Sequence, residues 1–292
     1  MTEQAENIQA NNAQAQNLRA NSVMDPFTRI YAVLIRHIYI LRGSISRLVE
    51  IIYWPTIQMV LWGFISKYIA NASVGGTMGK GAVAFGMLLG AVLLWDMLFR
   101  TQLGVTLSYL EEVWARNLGH LFVSPLRPWE WWSAMMIFSV LRALAGMLPA
   151  AFLAIPFYGF SIFDFGLPLL FFFVNIMFMG WWLGFLIMAL LLKAGQGAET
   201  MAWALTFFLA PFCAVYYPIS ALPVWLQPVS QALPAAHVFE GLRGLVLEHR
   251  FLASEMWLAF GLNCIYMVIA MTLLQFAFNS ARKAGTLLQS GE

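Results

Sequence analysis

Charge is scarce in this sequence. Lys and Arg number 16 and Asp and Glu 14 among 292 residues, 10% together, against roughly 25% in an ordinary soluble domain. With 61% apolar residues and a mean hydropathy of +0.74, too little polar surface remains to coat a water-soluble globule. The same figures exclude disorder and collagen-like structure for the bulk of the chain. Cysteine is nearly absent. Cys213 and Cys264 each lie inside an apolar run, with no Cys or His at ligand spacing. That excludes a disulfide scaffold and leaves both as small packing residues. The few histidines are scattered, so no convergent catalytic or metal-binding set is visible. A formal charge of +2 gives no argument for nucleic-acid binding. By composition, the chain is an integral membrane protein.

What the sequence has in abundance is long apolar runs. A bilayer core takes about 20 apolar helical residues, and six stretches are expected to span it: Val49–Ile69, Ala82–Leu110, Trp131–Phe160, Phe165–Leu192, Thr200–Tyr217 and Met256–Ser280. Residues 1–25, rich in Asn, Gln and Ala, have neither an apolar core nor a cleavage pattern and are expected to be a polar disordered tail. Lys and Arg set the orientation. Arg19, Arg29, Arg36, Arg42 and Arg47 precede the first span, Arg116 and Arg127 follow the second, Lys193 the fourth, and Arg282 and Lys283 the sixth. Only Lys67, Lys80, Arg243 and Arg250 fall on the other side. Both termini, including the short tail over 281–292, are therefore expected in the cytoplasm, with the chain in the cytoplasmic (inner) membrane.

Three segments are neither span nor ordinary loop. Residues 26–48 read as an amphipathic helix on the membrane surface: Pro26 suits a first helical position and Asp25 can cap it. At 100° per residue Arg29, Arg36 and Arg47 fall within about 20° of one another, opposite Phe27, Leu34, Ile38, Leu41 and Ile45. Residues 111–130, EEVWARNLGHLFVSPLRPWE, are too polar to span yet carry an apolar stripe, which fits docking to a soluble partner. Residues 218–250 are apolar but broken by Pro218, Pro223, Pro228 and Pro234, so one straight spanning helix is excluded. Two short helices dipping into the outer leaflet are expected there. His237, Glu240 and Arg243 share a face of the second.

Charges inside spans are expensive. Asp96 and Arg100 stand four apart and can neutralise each other, whereas Arg142 has no local partner. An interior network that fixes helix packing is the favoured reading; a polar route for substrate is the other. Gly86 and Gly90, and Gly180 and Gly184, each allow close helix approach. Trp181 and Trp182 read as packing residues inside the fourth span.

The loop E-x-x-W…L-F-x-S-P-L-R-P-W-E between the second and third spans and the hairpin Y-P-I-S-A-L-P…L-P-A-A-H-V-F-E-G-L-R before the last, behind an amphipathic N-terminal helix, resemble the membrane subunit of ABC-type-2 exporters. The resemblance implies an all-α fold with a six-helix transmembrane domain over 49–280, a connecting helix over 26–48 and a re-entrant hairpin carrying Pro223 and Pro234. It implies a coupling segment in which Trp114, Arg116, Leu118, Leu121 and Phe122 meet the ATPase. It further implies a homodimer served by two copies of a separate ATPase, with ATP and Mg on that partner and no cofactor or metal in this chain. GGTMGKG over Gly75–Gly81 is no phosphate loop, since Val74 and Gly81 stand where Gly and Ser or Thr are needed. Few intramembrane charges and many aromatics lean towards a hydrophobic or amphipathic cargo such as a drug, lipid or lipid-linked glycan. The alternatives are an ion-coupled secondary transporter and, more distantly, a membrane-embedded enzyme.

Overall fold

A computed structural model describes residues 25–72 and 78–285, with all their side chains except those of 69–72, 78–85, Phe122 and Gln196. The expected N-terminal tail, part of the glycine-rich loop and the end of the C-terminal tail lie outside the described residues. No strand occurs among the described residues. The helices are α1 (Pro26–Arg42), α2 (Ile45–Ala72), α3 (Met78–Trp114), α4 (Leu118–Val123), α5 (Pro128–Tyr158), α6 (Leu167–Ala194), α7 (Met201–Leu209), α8 (Gln227–Gln231), α9 (Pro234–Glu248) and α10 (Ala253–Ala284). Five are long and apolar enough to cross a membrane, over Ile45–Tyr68, Gly86–Trp114, Pro128–Tyr158, Leu167–Ala194 and Ala253–Ala284.

Local chemistry sets the boundaries. Pro128 opens α5, where the Arg127 N–H donates to the Glu130 carboxylate at 2.9 Å, satisfying one of the orphan donors at a helix start. Gly159 ends it at φ 65°, a left-handed position that suits glycine. Pro26 opens α1, but the Asp25 side chain makes no capping bond. The single helix expected over 26–48 is two: Gly43 and Ser44 interrupt it. The Ser44 N–H still donates to Leu41, while its own carbonyl accepts from Leu48 and starts α2. Glycine is a poor helix former and serine a good helix starter. Arg47 therefore belongs to the first turn of α2.

The expected span from Thr200 to Tyr217 is not one helix either. It ends as a helix at Leu209, continues in hydrogen-bonded turns to Cys213, and bends at Ala214, whose φ is 51°. Pro211 has no N–H to continue the ladder, and hydropathy alone does not register that loss. The carbonyls freed by the bend are met from elsewhere: buried Arg243 of α9 donates to those of Ala214 and Tyr217.

In the core, α6 lies between α3 and α10, while α3 also packs on α2 and α5. The α3–α6 contact is backbone-close. A Cβ on Gly180 would stand 2.8 Å from that of Thr101, and one on Gly184 2.8 Å from that of Val105. Gly86 and Gly90 do something else, facing the rings of Phe160 and Phe165.

Candidate functional site

Two features share the long helix α3. The first is a cluster of buried carboxylates where α3 ends and α5 begins. Glu112 and Glu130 are fully buried and Glu111 nearly so. Ionised groups in such a place require partners, and α1 with the start of α2 supplies them. Arg29 forks onto Glu130 through Nε at 2.9 Å and Nη2 at 2.6 Å, a bidentate pair that holds the guanidinium pKa above its usual value. Arg36 donates to Glu112, which also accepts from Asn117 at 2.7 Å. Arg47 donates to Glu111 Oε1 at 3.0 Å. His37, fully buried and stacked on Phe138, lies 3.8 Å from Glu111 and 3.9 Å from Glu112.

The basic face read from the sequence thus turns inward onto protein carboxylates. Phe27, Tyr31, Ile38 and Tyr39 of the same helix are exposed. Glu111, Glu112 and Glu130 are buried ion-pair partners that the sequence reading passed over as loop polarity. The available signal was their company: three acids in a stretch adjoining apolar spans, facing a helix with its arginines on one side.

The segment after α3 is not uniformly open to a partner. Arg116 turns the chain at φ 52° and is exposed, as is Trp114. Leu118 is buried in the protein's own core, whereas Leu121 packs against that core and stays partly exposed. Val123 is 89% exposed and Trp129 also faces out. The Phe122 side chain is outside the described residues.

The second feature is a cavity of about 620 Å³ between α2, α3, α5 and the α7 segment. Trp54, Gln58 and Trp62 of α2 face Trp95, Asp96, Phe99 and Arg100 of α3. Trp203, Phe207 and Tyr216 close the third side. Tyr216 stacks on Trp62 at 4.7 Å and Phe207 meets Phe99 at 5.0 Å. Arg100 Nε donates to Asp96 at 2.6 Å. Arg142 also lines the cavity and stands 3.9 Å from Glu111 Oε1, the oxygen that Arg47 already occupies. The structure therefore brings Asp96, Arg100 and Arg142 to one surface. Trp181 and Trp182 do not line it; their indoles donate to Ser139 and Asn263.

The hairpin residues lace neighbouring segments together. His237 sits 2.7 Å from Glu255 and 2.7 Å from the Gln231 carbonyl, and Glu240 accepts from the Ile219 N–H at 2.8 Å. Pro234 is buried at the start of α9, whereas Pro223 is exposed in the turn before α8.

The family model for ABC-2 type transporters matches residues 33–247, which takes in the charge cluster apart from Arg29, the cavity and most of the hairpin. No match was found among curated proteins.

Proposed function

The chain belongs to the ABC-2 type transporter family, and from that premise we propose that it is the membrane subunit of an ATP-driven exporter. Two copies enclose the route, two copies of a separate ATPase drive it, and the cargo is hydrophobic or amphipathic. The α4 end faces the cytoplasm with both termini, and the cavity is one protomer's share of the route.

One observation carries this reading: the cavity and the segment that would meet the ATPase share a residue neighbourhood. Arg142 lines the cavity and stands 3.9 Å from Glu111, which is followed in the chain by Glu112, the acceptor for Asn117 at the start of α4. A push on α4 therefore reaches the cavity through a single buried cluster. The broken segment after α6 supplies the sixth crossing. Thr206 donates to Gln102 and Phe207 meets Phe99, so the segment runs antiparallel to α3, and it reaches Trp62 near the far end of α2 at Tyr216. The helices α8 and α9 then lie on the outer side, as a re-entrant hairpin held by Arg243, Glu240 and His237.

The test is co-expression of the chain with a candidate ATPase, followed by reconstitution in proteoliposomes. The expected result is co-purification, no ATP hydrolysis by the chain alone, and hydrolysis by the complex that rises with an amphipathic substrate. Transport that follows an ion gradient and ignores ATP would instead make the chain a secondary transporter.

A further inference from the structure

We propose that the cavity between α2, α3, α5 and the α7 segment takes a ring-bearing organic anion, with its anionic group on Arg142 and its ring among the tryptophans. This rests on the reading of the cavity as the substrate route. The argument begins with which charges are already engaged. Asp96 and Arg100 are joined by a 2.6 Å hydrogen bond and neutralise each other. Glu111 Oε1, the carboxylate oxygen nearest Arg142, accepts from Arg47 at 3.0 Å and leaves Arg142 at 3.9 Å, too far for a hydrogen bond.

Arg142 is thus a guanidinium with side-chain exposure of only 13% that is ion-paired to Glu111 at 3.9 Å but makes no hydrogen bond among the described residues. It carries five N–H donors and no acceptor. A carboxylate, sulfonate or phosphate group entering the cavity would meet those donors with charge-assisted, bidentate geometry. A cation would find less. Trp faces attract cations, but Asp96 is taken, and the remaining carboxylate of the lining, Glu50, is exposed to solvent.

The positions along the helices add an orientation. Glu50, Ile51 and Trp54 stand at the start of α2 and Trp62 three turns on, so the cavity extends about 18 Å along that helix at 1.5 Å per residue. Arg142 lies at the end near Glu111, and the Trp62–Tyr216 stack lies at the other. An occupant therefore sits with its charge towards the α4 end of the bundle and its ring towards the far end. A cavity of about 620 Å³ is in the range of small-molecule sites.

Three tritiated probes of one shape test this: 2-naphthoate, 2-naphthylmethanol and 2-naphthylmethylamine, bound to the full chain in nanodiscs of uncharged net lipid, with empty discs as background. Saturable binding is expected, with 2-naphthoate tighter than either of the others by about tenfold or more, the scale of one hydrogen bond to a charged group. Arg142→Gln should erase that preference, and Arg142→Lys should restore part of it. Trp54→Ala should weaken all three alike. Equal binding of the three probes, or a preference that survives Arg142→Gln, overturns the anion assignment and leaves the cavity as a route for other cargo. No saturable binding by any probe overturns both this inference and the route it rests on. Should Arg142→Gln not fold, the Arg142→Lys and wild-type comparison alone decides: unchanged selectivity with lysine on a shorter, single-point charge would point away from a fork at this position.

Discussion

Glu112 shows how little of a residue's role its own identity reveals. In the sequence it is one of two adjacent acids at a helix end; in the fold it is fully buried and accepts from Arg36 and Asn117. Replacing it with Leu leaves both donors without their acceptor, and Asn117 sits at the start of α4. The cost stays below that of a fully enclosed pair, because the Arg36 side chain is 35% exposed and can turn to water. A loss of about 1.5–3 kcal/mol is expected, as for hydrogen bonds to charged groups, read as a lower melting temperature of the purified chain. The double variant Arg36→Gln with Glu112→Leu should lose less than the two singles summed. Full additivity would mean that the pair does not interact.

At the scale of elements, two predictions separate packing from docking. Leu118→Ala removes a side chain from the core, and core Leu→Ala changes cost about 2–5 kcal/mol. It should lower stability before it touches any partner. Val123→Asp alters a residue that is 89% exposed, so its melting temperature should match the parent while ATPase pull-down falls. A destabilised Val123→Asp, or a pull-down unaffected by it, would place the docking surface elsewhere on that end. The glycine pairs behave differently from one another. Gly184→Ala sets a Cβ 2.8 Å from that of Val105 across the α3–α6 contact, whereas Gly86→Ala meets only a Phe160 ring edge at 3.5 Å. Overpacking costs about 1–3 kcal/mol, so only the first should lower the melting temperature.

These elements also mark where the sequence was legible. The five long spans, the breaks that proline puts into residues 218–250 and the arginine face of α1 follow from composition and period, which are local properties. The two GxxxG pairs are identical as patterns, and only the neighbour tells a backbone contact from room for an aromatic ring. The segment over 200–217 was misread as one helix because hydropathy counts side chains and ignores backbone donors such as the one Pro211 lacks. Of the candidate site, Asp96, Arg100 and Arg142 were visible as charges out of place. The three glutamates that anchor α1 and the start of α2 were not, because their partners lie 64 to 101 residues away in the chain.

For the whole molecule, one pair of cysteines tests the parity of the crossings. In a background lacking Cys213 and Cys264, Ser124→Cys lies between α4 and α5 and Ser254→Cys at the start of α10, both exposed. If the broken segment completes a crossing, an impermeant maleimide should label Ser254→Cys in intact cells and Ser124→Cys only after permeabilisation. Five crossings would put both positions on the same side, with equal labelling.

The length of α3 has a mechanical consequence. At 37 residues and 1.5 Å per residue it is about 55 Å long, well beyond the roughly 30 Å of a bilayer core, and no proline interrupts it. Its neighbours α2 and α5 both contain proline and can bend. α3 is pressed against α6 at Thr101 and Val105, where Gly180 and Gly184 let the two backbones touch. At the same level Gly104 lets it close on Ser139 of α5, and an uninterrupted helix gripped most tightly at one level can act as a lever about it. Glu112 and Val92 lie on opposite arms, about 14 Å and 17 Å from the middle of that contact by helical rise. A tilt of a few degrees then shifts both by about an ångström, the size of helix movement known from switching proteins. The two shifts are opposite in sign: drawing the Glu112 end inwards swings the cavity wall outwards.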